Sequence, residues 1–286
     1  MEEIIVDNCI QEIQQKGYCI LKNAINHDLA DRIIAHFDEW KNNKDNCFKC
    51  YHFNRITNFH MLNDDTKQLV TNEYVNQILC KLFNCQQSIY SSLFFREGTA
   101  QHFHRDTPHF YTNPINNYYG VWYALENIDE QAGPLKYYEN SHLLETINGH
   151  EVCNSLFPNK SILTNDENLK CLLHYNRILE QKCEQLNLER IDEQNYKNKI
   201  NKGDIIIWHP NLLHGGSDII NKQLTRYSLV THNVPFNMPV FNASHFFRKE
   251  PSTEYINNVC NYSYIFHNNI PIVNHKISPK VQKSYL

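Results

Sequence analysis

Between Ser88 and His232 one texture recurs: SIYSSLFFRE, YYGVWYALEN, PLKYY, DIIIW and LTRYSLVTH are each short, rich in aromatic or β-branched residues, and bounded by Gly, Pro or Asn. Such side chains fit a pleated, half-buried surface and such boundaries stop it, so this stretch commits the middle of the chain to a β core. The preceding residues read differently. Val6, Ile10 and Ile13 stand at helical spacing before Gly17 and a short strand, Tyr18 to Leu21. Asn26 or Asp28 can cap a second helix, whose stripe of Leu29, Ile33, Ile34, Phe37 and Trp40 ends at the polar run KNNKDN, and a third helix is expected from Asp64 to Phe83. These stripes are core faces. A polar insertion, 143–200, separates early from late strands; its LKCLLHYNRILEQKCEQLNL has helical spacing and is suited to cover a site as a lid. Beyond Pro235 the chain is aromatic and Asn-rich without clear periodicity.

One domain over 1–286 is therefore expected: a helical part over 1–87, a β core over 88–235 carrying the insertion, and an extension over 236–286. The chain has 27 Lys plus Arg against 31 Asp plus Glu, which lacks the basic excess of a typical nucleic-acid binder, so no nucleic acid is expected. Its apolar runs are far shorter than the roughly 20 residues of a membrane-spanning helix, and no membrane is expected. The first residues lack the basic, apolar, small-residue order of a secretory signal. Ten cysteines, in a chain too long to need stapling, read as reduced thiols, and a cytoplasmic location is expected. Nothing in the sequence speaks to oligomeric state.

The chemistry is carried by two separated segments. In Gln101-His-Phe-His-Arg-Asp-Thr-Pro, His104 and Asp106 are two apart, which on an extended strand puts both on one face. In KGDIIIWHPNLLHGG, His214 follows a strand and precedes a Gly pair that lets the backbone turn closely. Together the three would form a facial triad. Two imidazoles and a carboxylate suit iron(II) and leave positions for a bidentate oxoacid and dioxygen, whereas structural zinc wants a closed tetrahedron. Arg226 lies twelve residues past His214 in LTRYSLVTH, where alternation directs it and Ser228 to one face. Its guanidinium fork matches the distal carboxylate of 2-oxoglutarate, with Ser228 a second donor. A His-x-Asp alone is common in a chain with 16 histidines, and a strand Arg is usually exposed. His102, His109 and His209 lie beside the candidates, and spacing does not separate them. The joint order of elements carries the reading.

That order resembles the phytanoyl-CoA dioxygenase family, within the wider iron and 2-oxoglutarate dioxygenases. EIQQKGYCILKNAINHDLADRI is similar to the family's opening helix, Gly-Tyr, strand and helix; HFHRDTPHF to its metal motif; VWYALENIDEQAGPLKYYENSH to its aromatic strand and closing Ser-His; and KGDIIIWHPNLLHGGS to its distal histidine element. The resemblance implies an α+β fold with a double-stranded β-helix (jelly-roll, cupin-like) core, flanking N-terminal helices and a helical insertion. It implies iron(II) held by His104, Asp106 and His214, 2-oxoglutarate anchored by Arg226, and Trp122 lining the 2-oxoglutarate site. Trp122 shares a face with Gly120 and Ala124, small residues that would leave room before a ligand, though a core tryptophan would show the same pattern. Glu139-Asn140 departs from the Pro-Gly usual before Ser141-His142, so the turn there is expected to differ. Asp106 argues against the family's halogenases, which carry a small residue at that position.

The implied reaction couples decarboxylation of 2-oxoglutarate to succinate and carbon dioxide, with O2, to attack on an unactivated C–H bond, usually hydroxylation. A small-molecule substrate is favoured over the same chemistry on a macromolecule, and over a jelly-roll binding module without turnover. Arg105, Arg96 and Lys136 hint at a polar or anionic substrate.

Overall fold

The computed structural model describes residues 2–42, 51–52, 55–192 and 199–275. The end of the KNNKDN run, residues 193–198 of the insertion and 276–286 of the extension lie outside the described residues. Helix α1 (Glu2–Lys16) stops at Gly17, whose φ of 91° is left-handed, and strand β1 (Tyr18–Leu21) follows at once. Helix α2 (His27–Asn42) begins where Asn26 Oδ1 accepts the Leu29 N–H at 3.2 Å, and it buries Leu29, Ala30, Ile33 and Phe37.

The single helix expected from Asp64 to Phe83 is two, α3 (Asp64–Val70) and α4 (Glu73–Phe83). Asn72 breaks it: its side chain accepts the Val75 N–H and restarts the chain in a new direction, as Asn63 does for α3. Strands β2 (Tyr51–His52) and β3 (Arg55–Thr57) precede these helices.

The large sheet runs β1–β8–β5–β10–β4–β12–β11, with β3 also on β4 and β2 on β3. Its members are β4 (Gln87–Phe95), β5 (Tyr119–Ala124), β8 (Ile205–Trp208), β10 (Ser228–Pro235), β11 (Tyr264–His267) and β12 (Ile270–Val273). Its core pairings are antiparallel, with β12 parallel to β4. A smaller sheet orders β7 (Arg190–Ile191), β6 (Leu135–Tyr138) and β9 (His214–Gly216), and His104 adds a bridge to His214. The two sheets make the jelly roll.

Alternation along the strands sorts the core. Val121, Tyr123, Ile205, Ile207 and Leu229 pack under helices α1–α4, while Trp122, Ile206, Trp208 and Val230 face the smaller sheet. The insertion holds α5 (Gly149–Leu156) and α6 (Asn165–Gln185), the latter opened by a capping box between Thr164 and Glu167. The described residues of the extension form ordered structure that no periodicity announced. Short helices α7 (Ala243–Phe246) and α8 (Thr253–Ile256) precede the β11–β12 hairpin, which widens the large sheet. Phe246 and Phe247 pack on Tyr175 of α6, so insertion and extension share one apolar cluster.

The eight described cysteines are free. No helix among the described residues is long and apolar enough to cross a membrane.

Candidate active site

His104, Asp106 and His214 meet between the sheets, with one ligating atom from each inside a span of 4.8 Å. His104 Nε2 lies 3.8 Å from Asp106 Oδ1, and His214 Nε2 lies 3.7 Å from Asp106 Oδ2. The backbone sets this spacing: His104 N–H donates to the His214 carbonyl at 2.8 Å, and His214 N–H returns the bond at 3.0 Å. Gly215 and Gly216 serve close approach rather than a turn, since they sit in β9. A Cβ at 215 would lie 2.6 Å from the Gln101 carbonyl, and one at 216 would lie 2.8 Å from Thr99 Oγ1. Asp106 is not on a strand either. It opens a turn in which the His109 and Phe110 N–H groups donate to its carbonyl, yet Arg105 between the two candidates still points the other way.

Both imidazoles are held in one tautomer. Nδ1–H of His104 donates to the His102 carbonyl at 3.0 Å, and Nδ1–H of His214 donates to the Leu212 carbonyl at 2.9 Å, so both Nε2 lone pairs face inward. Burial, with the neighbouring His214, pushes His104 down to about 3 and keeps it neutral. Burial alone would raise Asp106, but His214, His104 and His232 together with the Trp208 bond hold it below its ordinary range. Asp106 Oδ2 accepts Trp208 Nε1–H at 2.8 Å and Tyr118 O–H at 3.1 Å. Two inward-facing imidazole nitrogens and one ionised, braced carboxylate fit a divalent iron.

A cavity of about 630 Å3 opens above these three groups. Arg226 lines it, buried, with Nη1 donating to the Gly133 carbonyl at 2.7 Å. Arg226 lies just before β10 rather than on it, but its N–H donates to the Arg96 carbonyl at 2.7 Å and continues the line of pairing. Trp122 also lines the cavity, and its Nε1 is buried without a hydrogen-bond partner. Ser228 stands between Arg226 and Val230 in the alternation, buried opposite Ala124, and its Oγ likewise has no partner. A guanidinium with two unsatisfied buried donors on one sheet face suits a small carboxylate ligand. Gly120 does not leave room for that ligand, however. A Cβ there would lie 2.2 Å from Trp208 Cε2, so the glycine makes space for the indole that braces Asp106.

The neighbouring histidines separate by contact. His102 offers only its carbonyl to His104. His209 packs on His142 and Tyr119, while His109 lines the cavity with its ring 6.2 Å from that of His104. Of the three basic residues expected near a substrate, none lines the cavity. Arg105 is fully buried and donates to the Ser141 and Leu144 carbonyls, Arg96 pairs with Glu97, and Lys136 sits over the Phe103 ring. Arg55 and His232 line it instead. Alternation from Arg226 through Ser228 and Val230 points to His232, whereas the short strand carrying Arg55 has no sequence signal. At Glu139-Asn140 the expected difference is absorbed, because Asn140 adopts φ 65°, the left-handed conformation a glycine would take.

A jelly roll with a His-x-Asp and a distal His at the floor of an open cavity defines a mononuclear non-haem metal oxygenase. Residues 13–227 match the model of the family described as Phytanoyl-CoA dioxygenase (PhyH), and the chain belongs to that family of iron- and 2-oxoglutarate-dependent oxygenases. No curated protein matches the chain. Among solved structures it is similar to SnoN, a non-haem α-ketoglutarate-dependent epimerase from nogalamycin biosynthesis, with TM-score 0.62 and 10% identity over 96% of this chain and 100% of that one. It is also similar to EctD from S. alaskensis, seen with 2-oxoglutarate and 5-hydroxyectoine, with TM-score 0.62 and 11% identity over 93% and 86% of the two chains. A third is SnoK, a carbocyclase of the same biosynthesis, with TM-score 0.61 and 12% identity over 85% and 88%. At these identities the likeness is one of fold.

Proposed function

We propose that this protein is an iron(II)- and 2-oxoglutarate-dependent hydroxylase of a small molecule, with His104, Asp106 and His214 as metal ligands and Arg226 as the 2-oxoglutarate anchor. The observation that carries this is the convergence of two inward Nε2 lone pairs and a braced carboxylate beneath a cavity lined by Arg226. Trp122 Nε1 and Ser228 Oγ would donate to the bound oxoacid. With dioxygen, iron(II) and 2-oxoglutarate supply an oxidant able to attack an unactivated C–H bond, leaving succinate and carbon dioxide.

The protein's own part is positional. The carbonyls of His102 and Leu212 hold the imidazoles in register, and Trp208 with Tyr118 keeps Asp106 ionised and aimed. The start of α6 and residues 242–244 roof the cavity and limit water. Because insertion and extension close over the same cavity as the core, we read 1–286 as one catalytic domain. A roofed cavity of this size favours a small molecule over a macromolecular substrate.

Anaerobic titration with iron(II) and then 2-oxoglutarate tests the reading. A visible metal-to-ligand charge-transfer band should form and should be lost in His214→Ala. Arg226→Gln should weaken 2-oxoglutarate at least about tenfold. No band from folded protein would overturn the assignment. SnoN and SnoK are an epimerase and a carbocyclase, so the outcome needs its own assay: label from 18O2 in the product marks hydroxylation, and unlabelled product marks another oxidation.

A further inference from the structure

We propose that Arg55 anchors the anionic group of the primary substrate, an organic carboxylate or phosphate monoester with an apolar body. This rests on the oxygenase reading above for what happens to that substrate. Strand β3 pairs with β4 in the register Arg55 to Phe95, Ile56 to Phe94 and Thr57 to Leu93. Ile56 and Phe94 enter the core beneath the sheet, so Arg55 and Thr57 fall on the other face, and both line the cavity. Phe95 pairs with Arg55 on one side and with Ser228 on the other, while the Arg226 guanidinium lies 6.0 Å from its ring. Two guanidinium groups therefore enter one cavity from strands on opposite sides of β4, with Phe95 between them. That arrangement suits two separate anions rather than one.

Arg226 is committed to the Gly133 carbonyl and the 2-oxoglutarate role; Arg55 has no such engagement. Among the described residues no carboxylate pairs with it, and burial alone pushes its guanidinium down to about 10 with no acid to offset the loss. The cavity's carboxylates are otherwise occupied: Asp106 is braced at the floor, and Asp166 is exposed in the first turn of α6. A desolvated, unpaired guanidinium is costly, and its planar fork matches a carboxylate or a phosphate. His109 and His232 line the same cavity and add polar groups beside it. Leu93, Val230, Leu169 and Leu172 supply apolar wall for the rest of the molecule.

The test is calorimetric titration of the full metal-free chain with ω-phenylalkanoates from phenylacetate to phenylhexanoate, their neutral amides, and phenyl phosphate. Wild type, Arg55→Gln, Arg55→Lys and Arg226→Gln are compared. In wild type and Arg226→Gln at least one anion should bind about tenfold or more tighter than its neutral counterpart. Arg55→Gln should erase that preference and Arg55→Lys should keep part of it. Whether carboxylate or phosphate binds tighter identifies the natural group. No anion preference in wild type, a preference that survives Arg55→Gln, or one that vanishes only in Arg226→Gln would overturn the proposal. The charge-transfer band keeps the two readings apart. A band without Arg55-dependent preference sinks the substrate anchor alone, and Arg55-dependent preference without a band upholds the anion site while sinking the oxygenase reading.

Discussion

Gly120→Ala should damage the metal site without touching a ligand. The added Cβ would lie 2.2, 2.3 and 2.6 Å from Cε2, Cζ2 and Nε1 of Trp208. Carbon atoms in contact want about 3.5 Å, so the indole must retreat by about 1.3 Å. Retreat along the hydrogen bond would open Nε1 to Asp106 Oδ2 from 2.8 Å to about 4 Å and break it. The ring also packs on His214 at 5.0 Å between centroids, so two of the three convergent side chains feel the change. A lost bond to a buried carboxylate is worth about 1.5–3 kcal/mol and overpacking about 1–3 kcal/mol, against a total stability of about 5–15 kcal/mol. Loss of a group that orients a ligand typically lowers metal affinity about 10–100-fold. Urea unfolding of the metal-free protein and anaerobic iron(II) titration read the two effects separately. Trp208→Phe keeps the space and loses only the N–H, so it should weaken iron similarly at a smaller cost in stability. A Gly120→Ala protein with wild-type unfolding midpoint and iron affinity would refute the account.

Asp106→Ala should abolish turnover while far-UV circular dichroism stays unchanged, because the group removed sits in a cavity wall rather than in an apolar core; succinate release at the wild-type rate would exclude the triad. At the left-handed position Asn140, Asn140→Gly should change stability by a few tenths of a kcal/mol, whereas Asn140→Val should cost about 1–2 kcal/mol in thermal or urea unfolding. Burial pushes His60, His104 and His232 each down to about 3, below the unfolded value of about 6.5. The unfolded chain then binds more protons between those values, so stability is fully present above about pH 6.5 and declines as pH falls toward 3. At pH 5 the loss is about 2 kcal/mol per histidine. A urea midpoint of the metal-free protein that is flat from pH 7 to 5 would contradict these buried, neutral states.

What the sequence made legible was whatever composition and spacing govern locally. Short aromatic and β-branched runs bounded by Gly, Pro or Asn located β4, β5, β6, β8 and most of β10, and the pairing of His104 with Asp106 survived even though their segment is a turn, because Arg105 still points away. Helix breaks were harder. Asn72 sits inside an unbroken apolar pattern, and only its side-chain bond to Val75 shows that it ends one helix and starts another. Trp208 and Tyr118 were invisible as partners of Asp106, since side-chain hydrogen bonds to residues 102 and 12 positions away leave no periodic mark. The hairpin in the extension had a faint signal: Asn268-Asn269 between YIFH and IPIV, with both asparagines at positive φ, is turn chemistry of the kind that joins adjacent strands. Arg55 had none, because its strand is three residues long and known only by what it pairs with.

The cavity's floor and its roof come from different parts of the chain. The three convergent groups rest on the rigid sheets, while the opposite wall is supplied by α6 and by residues 242–244, welded together through Tyr175, Phe246 and Phe247. Substitutions at Asn165, Leu169, Leu172 or Ser244 can therefore reshape what the enclosure admits without moving the reactive centre. What the enclosure accepts and what its floor does are thus separable properties of one molecule.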